Sequence, residues 1–285
     1  MVPDAPPSSG SASDPLLARL NGDTPAPPVS ALLTPVQQAL GSLELAHRLG
    51  KPVPVVTLAD AESAYEVQAA LGRVCGWFDD AVPTHWKSGA RAPEGPYTHA
   101  PLPARGIVAS GGRLSALNFN HPGVEAEFAL RLARPVDAAT AAALSAGDET
   151  GLEALIDGLC VSIEIVDSRW TDPAHAPAFS KLADLQSHGA LALGNWQPYQ
   201  RRDWARQRCS VTIGEGAAAE FTGSLSVRAP TAVLVPWLRH LTRHGDTVPA
   251  GTVVTTGTWC GLLPVTRGER VTVRFDGFEP VTVTV

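Results

Sequence analysis

Cysteine is scarce in this chain: Cys75, Cys160, Cys209 and Cys260 are the only four in 285 residues, and no two form a C-x-x-C pair. That spacing excludes a dense disulfide framework and fits free thiols in a reducing compartment. Positive charge is also in deficit. Lys and Arg number 22 against 28 Asp and Glu, for a formal net charge of −6, and no basic cluster stands out. A nucleic-acid surface is therefore not expected. Long apolar runs are missing, and the N-terminus has neither the basic segment nor the apolar stretch of a signal peptide. The expectation is a cytoplasmic protein with no membrane partner.

What is present describes a globular chain. Apolar residues make up 44% and charged residues 18%, in a length that can bury a sizeable core as one large domain or two small ones. Residues 1–30 are rich in Pro, Ser, Ala, Asp and Gly, and read as a flexible or irregular arm, with Leu16, Leu17 and Leu20 as a minor docking turn. A helix is predicted from Thr34-Pro35-Val36-Gln37, with Thr34 as cap, Gln37 closing a capping box and Gly50 as the stop. A second follows Asp60 and runs to about Gly76. Residues 31–104 thus form an N-terminal helical region, and residues 105–285 a β-rich domain.

Two stretches carry acids where a strand pattern wants apolar residues. In Val124-Glu125-Ala126-Glu127-Phe128, positions i and i+2 of a strand share a face, so Glu125 and Glu127 project side by side. Alone, that pair reads as the solvent-facing edge of a strand. Downstream, Glu164 sits between Ile163 and Ile165 in a second β-branched run, Cys160 to Trp170. Its neighbours favour burial, so surface decoration does not account for it. Convergence of the three would make an oxygen-only site suited to Mg²⁺ or Mn²⁺. No Cys or His falls at a comparable spacing, which argues against zinc.

Between the acidic runs, residues 137–158 read as one or two helices that leave the two strands free to meet in one sheet. Pro230 to His244 reads as a helix with Trp237, Leu238 and Leu241 inward and Gly245 as its stop. His240 and His244 are four apart, but with no acid nearby they read as helix-end groups rather than ligands. Strands return at Val253-Val254-Thr255-Thr256, Val271 to Phe275 and Val281 to Val285, with Arg267-Gly268-Glu269 marking the hairpin between the last strands. Many short strands, few helices and no βαβ rhythm favour an α+β or mainly β fold.

The G-V-E-A-E-F block followed by I-E-I-V-D-S-R resembles the fumarylacetoacetate hydrolase superfamily, in its 2-oxopent-4-enoate hydratase and 4-oxalocrotonate decarboxylase branch. The resemblance implies a mixed β-sandwich roll of the fumarylacetoacetate hydrolase C-terminal type with a small N-terminal helical region. It implies Glu125, Glu127 and Glu164 as ligands of Mg²⁺ or Mn²⁺. The segment His85-Trp86-Lys87-Ser88-Gly89 is similar to a G-x-K-x-G segment of that branch, so Lys87 is implied as an acid/base group, with a pKa depressed by a desolvated site.

Lys181-Leu182-Ala183-Asp184-Leu185-Gln186-Ser187-His188-Gly189 stands where family members read A-D-N-A-S-x-G. Asp184 is implied as catalytic, either paired with Lys181 or touching substrate, and Ser187 as substrate-binding. Leu185 departs from the usual Asn. Thr256-Gly257-Thr258 matches a T-G-[ST] segment, implying contacts from Thr256, Gly257 and Thr258 to a substrate carboxylate or keto oxygen.

The implied activity is metal-dependent hydration of a 2-hydroxy-2,4-dienoate. Decarboxylation of a 4-oxalocrotonate-type 2-oxo dioic acid, C–C hydrolysis with His175 or His188 in a water-activating pair, and a non-catalytic partner subunit are the alternatives. The partner expected is a small 2-oxo acid, in a homo-oligomer or in association with a related decarboxylase or hydratase subunit.

Overall fold

A computed structural model describes residues 33–78 and 82–285. The N-terminal arm, with Leu16, Leu17 and Leu20, lies outside the described residues. Thr34–Val285 form one compact unit. Its elements, in chain order, begin with α1 (Pro35–Leu49), α2 (Ala61–Val74), β1 (His85–Gly89), β2 (Thr98–Pro101), β3 (Ile107–Ala109), β4 (Gly112–Arg113) and β5 (Gly123–Leu132). The short helices α3 (Ala138–Ala143) and α4 (Glu149–Glu153) lead to β6 (Ile156–Val166), α5 (Ala178–Ala183) and β7 (His188–Leu193). Next come β8 (Arg208–Ile213), β9 (Ala219–Thr222), α6 (Leu234–Leu241), β10 (Val253–Thr255), β11 (Leu263–Pro264), β12 (Arg270–Phe275) and β13 (Val281–Thr284).

The first helix forms as its sequence dictates. The Thr34 hydroxyl accepts from the Gln37 N–H, and the Gln37 side chain accepts from the Thr34 N–H. Gly50 closes the helix in the left-handed region (φ 63°), its N–H donating to the Ala46 carbonyl. Asp60 caps α2 by accepting from the Ser63 N–H. These two helices bury Leu43, Val67 and Leu71 against α5 and Trp170, in a small core of their own.

The strands form two sheets. The larger has the order β2-β1-β10-β5-β6-β7-β3, with β11 also paired to β5. The smaller has the order β4-β13-β12-β8-β9. One face of β5 (Val124, Ala126, Phe128, Leu130) and of β6 (Val161, Ile163, Ile165) packs with Val271, Val273 and Phe275 of β12 in the main core. The opposite faces of β5 and β6 carry the acids. Alternation along each strand therefore separates core from site with one peptide step.

Three boundaries differ from expectation. Residues 85–101, expected in the helical region, supply β1 and β2 and extend the sheet that holds the acids. Helix stops at Glu153 rather than running to residue 158. Ile156 instead pairs with Leu132, because the β5 edge offers a full ladder to a β-branched run. The Arg267-Gly268-Glu269 turn precedes β12, while the hairpin between β12 and β13 turns at Asp276-Gly277, where Gly277 has φ 84°.

Candidate metal centre

The three acids come together. Glu125 lies directly across from Glu164 in the β5–β6 ladder, and Glu127 lies across from Ser162 on the same face. One carboxylate oxygen from each of Glu125, Glu127 and Glu164 lies within 4.8 Å of the others, the one such His, Cys, Asp or Glu cluster among the described residues. Glu127 and Glu164 are buried and Glu125 is half-buried.

Burial sets the protonation of the cluster. Desolvation, with the Glu164 charge adding to it, pushes the Glu125 carboxyl up to about 7 despite nearby Lys87. Desolvation and the other two glutamates push Glu127 up to about 8. For Glu164, burial also acts upward, but Lys87 and His188 outweigh it and hold the carboxyl below its ordinary value. The Lys87 Nζ donates to Glu164 Oε1 at 2.6 Å and to the Gln186 carbonyl at 3.3 Å. Its side chain is 12% exposed. Burial alone would lower the Lys87 pKa, yet the three carboxylates outweigh it and raise it. Without a metal, the field of these carboxylates holds Lys87 as an ammonium, opposite in direction to the expected depression.

Two neighbours complete the cluster. His188 Nδ1 lies 2.9 Å from Glu164 Oε1, and burial lowers the ring's pKa. Thr255, beside Ala129 in the β10–β5 ladder, donates its hydroxyl to Glu127 Oε2 and lies 3.1 Å from the Ser162 hydroxyl. Thr255 is the threonine of the T-T-G-T run that touches the acids. The expected pair is spent elsewhere: the Thr256 hydroxyl donates to the Phe128 carbonyl, and the Thr258 hydroxyl donates to Gly261 O and accepts from Cys260 N–H. Gly257 takes φ 98°, a conformation that favours glycine, between them. Only the strand register shows which threonine of the T-T-G-T run faces the site.

Asp184 is held in a buried ion pair with Arg169 rather than with Lys181. Its carboxylate accepts from the Ser168 hydroxyl, the Arg169 N–H and Arg169 Nε (2.5 Å), and it is fully buried. The Lys181 Nζ instead donates to the Ala174 carbonyl, so the expected Lys181–Asp184 pair is absent. Arg169 also donates to the carbonyls of His188 and Asp184, locking the residues on either side of Leu185–Ser187. That turn is strained: Leu185, Gln186 and Ser187 have φ of 49°, 54° and 58°. Each left-handed non-glycine residue costs about 1–2 kcal/mol, and such strain persists where surrounding bonds over-determine it.

The turn aims the Gln186 carbonyl at Lys87 and bonds the Gln186 amide to the Thr98 hydroxyl. Ser187 serves the turn through its backbone, donating to Asp184 O and accepting from Asp167 N. His175 is exposed and pairs with Asp172, away from the cluster. His240 stacks on Tyr65 and His99 instead of joining His244 in a ligand pair.

The donor set fits a hard divalent cation. Glu164 Oε2 is buried with no hydrogen-bond partner among the described residues, and so is His188 Nε2. A buried carboxylate oxygen without a donor is costly unless a cation or proton meets it. Three oxygen ligands on two adjacent strands leave further coordination positions open.

The chain is 25% identical over 177 residues to a 4-oxalocrotonate decarboxylase from Pseudomonas putida, covering 61% of this chain and 64% of that protein, so it spans less than two thirds of that relative's length. Among solved structures, 4-oxalocrotonate decarboxylase from Pseudomonas putida G7, complexed with magnesium and adipate, superposes with a TM-score of 0.75 at 21% identity, over 88% of this chain and 98% of that one. A 2-hydroxyhepta-2,4-diene-1,7-dioate isomerase from Mycobacterium marinum gives a TM-score of 0.53 at 20% identity, over 71% and 74% of the two chains. Residues 79–285 match the family model described as fumarylacetoacetate (FAA) hydrolase C-terminal. With most of its length in that match, the chain belongs to the fumarylacetoacetate hydrolase C-terminal family.

Proposed function

We propose that this chain is a divalent-metal-dependent lyase acting on a short, conjugated 2-oxo acid through its enolate, with decarboxylation of a 2-oxo dioic acid as the net reaction. The observation that carries the reading is the pairing of three converging carboxylates with one half-buried ammonium, Lys87. Glu125, Glu127 and Glu164 would hold Mg²⁺ or Mn²⁺. When bound, that cation supplies Lewis-acid stabilisation for charge developing on the substrate's 2-oxo oxygen.

The chain's own residues supply the rest. Lys87 stands as a general acid with Nζ anchored between Glu164 Oε1 and the Gln186 carbonyl. Loss of CO₂ leaves its bonding electrons on the enolate, and the Lys87 Nζ–H gives the proton to the enolate carbon. Thr255 orients Glu127. The choice of decarboxylation over hydration draws support from the relative named 4-oxalocrotonate decarboxylase.

Hydration is the second reading, and a specific contact favours it. His188, its pKa lowered by burial, presents an unpartnered Nε2 beside Glu164 and could take a proton from water. The same pair would serve C–C hydrolysis. A homo-oligomer in the cytoplasm remains part of the proposal. A non-catalytic subunit is disfavoured by an intact acid cluster that has no structural use.

The test follows the ultraviolet band of a 2-hydroxy-2,4-dienoate, as a dioic and as a monoacid substrate, with Mg²⁺ and with chelator, beside Glu125→Ala/Glu127→Ala. Mg²⁺-dependent loss of the band with CO₂ release establishes the decarboxylase. Loss of the band with a 4-hydroxy-2-oxo product establishes the hydratase. A band that persists with both substrates, while Mg²⁺ binds, overturns both.

A further inference from the structure

The strand that carries Glu125 and Glu127 is secured differently along its two edges. Along one edge β5 pairs with β6 over its full length. Along the other it pairs with β10 at residues 129–131 and with β11 at residues 123–124, so residues 125–128 lie in a gap between those partners. Peptide groups alternate between the two edges of a strand, and those of Ala126 and Phe128 open onto the gap.

Segment 256–261 fills the gap without forming a strand of its own. The Thr256 N–H donates to the Phe128 carbonyl at 3.1 Å, and the Trp259 N–H donates to the Ala126 carbonyl at 2.8 Å. The Ala126 N–H meets a sulfur in place of a carbonyl, donating to Cys260 Sγ at 3.2 Å. Ala126 is 0% exposed and Cys260 7%, so water does not stand in for that acceptor. A buried N–H left unpaired is costly. The sulfur is itself fixed in place. Its thiol donates to the Gly261 carbonyl at 3.2 Å, and the Thr258 hydroxyl accepts from the Cys260 N–H at 3.2 Å.

We propose that Cys260 is a positioning residue for the metal centre, acting through the backbone of Ala126. The inference rests on the reading of Glu125, Glu127 and Glu164 as the ligands of a divalent cation. Ala126 is the single residue between the two β5 ligands, and the sulfur anchors its N–H where the ladder has no carbonyl to offer. A shift of Ala126 across the gap carries both flanking carboxylates with it, while Glu164 is held separately on β6. Mg²⁺ demands near-ideal octahedral geometry. Loss of the anchor therefore registers as lost affinity for the cation and not only as lost stability.

Calorimetric titration of the chelator-stripped full chain with Mg²⁺, at a temperature where each variant is folded by circular dichroism, tests this. Cys260→Ala should weaken Mg²⁺ by about tenfold, the equivalent of one hydrogen bond. Cys260→Ser, which restores an acceptor, should bind within about twofold of the wild type. Cys209→Ala, which removes a buried thiol from β8 in the other sheet, should lower the melting temperature and leave Mg²⁺ affinity unchanged. Should Cys260→Ala fail to fold, Thr258→Val withdraws the hydroxyl that holds the Cys260 backbone and should weaken Mg²⁺ by about threefold. Unchanged affinity in Cys260→Ala or Thr258→Val, no recovery in Cys260→Ser, or an equal loss in Cys209→Ala overturns this inference alone. A wild type that binds no Mg²⁺ overturns the metal centre itself, and this inference with it.

Discussion

Glu125 and Glu164 face each other directly across the β5–β6 ladder, two like charges at a position where strands ordinarily place partners. Directly opposed like charges weaken a sheet, and here Glu127 adds a third on the same face. The cluster is tolerated because Lys87 and His188 crowd Glu164, while burial favours the protonated forms of Glu125 and Glu127. From this relationship the pH behaviour of the metal-free protein follows.

Glu127 has a folded-state pKa of about 8 against an ordinary 4.5, and Glu125 about 7. Between those limits the folded protein binds more protons than the unfolded chain. Stability is therefore complete below the ordinary value and falls as pH rises through the raised ones. Metal-free protein should melt at progressively lower temperature from about pH 5 to pH 8, and saturating Mg²⁺ should flatten that slope. Differential scanning calorimetry with and without Mg²⁺ checks it; parallel slopes would separate the cation from these carboxyls.

Lys87→Ala removes the ammonium without removing a carboxylate. Turnover should fall by about 10²-fold or more, the range for loss of a positioned general acid. Mg²⁺ affinity should hold or rise, because a competing positive charge leaves the cluster. Steady-state kinetics beside an isothermal Mg²⁺ titration separates the two effects; loss of Mg²⁺ binding would show that Lys87 organises the ligands instead.

Arg169 and Asp184 form a buried pair, with Arg169 8% exposed and Asp184 0%. Arg169→Met leaves the Asp184 carboxylate buried without its partner, at a cost of about 3–5 kcal/mol. The melting temperature should drop by roughly 10 °C. A melting curve unchanged within 2 °C or so would contradict the pair's structural role.

The turn at Leu185–Ser187 offers a direct test of backbone strain. Gln186→Ala deletes the amide that reaches Thr98 but keeps a Cβ at φ 54°. Gln186→Gly deletes the amide and relieves the conformation. The glycine variant should be the more stable by about 1 kcal/mol, reversing the usual order of alanine and glycine. Denaturant titration decides it; alanine proving the more stable would mean that the turn is not left-handed in solution.

At Leu185 the balance runs the other way. Left-handed backbone costs about 1–2 kcal/mol, while fully burying a leucine contributes about 1.5–3 kcal/mol, and Leu185 is 1% exposed. Leucine at this left-handed position thus exchanges conformational ease for packing.

Local chemistry was legible in the chain itself. Thr34, Gln37 and Gly50 specify a helix start and stop through bonds spanning three or four residues, and those bonds form. The period-two pattern around Glu125, Glu127 and Glu164 specified strands with acids on one face, because alternation is a property of the extended backbone alone. Tertiary structure decided which groups meet across the sheet. Thr255 rather than Thr256 or Thr258 touches Glu127, because register with β5 sets the facing side. Asp184 binds Arg169 rather than Lys181, because the chain after β6 brings Arg169 against the C-terminal end of α5. In the metal-free site the Lys87 pKa is raised rather than depressed, because three glutamates brought from 38 to 77 residues away in sequence surround it. Hydrogen bonds between near neighbours are written in the order of residues, whereas burial and electrostatic fields exist only once distant strands have met.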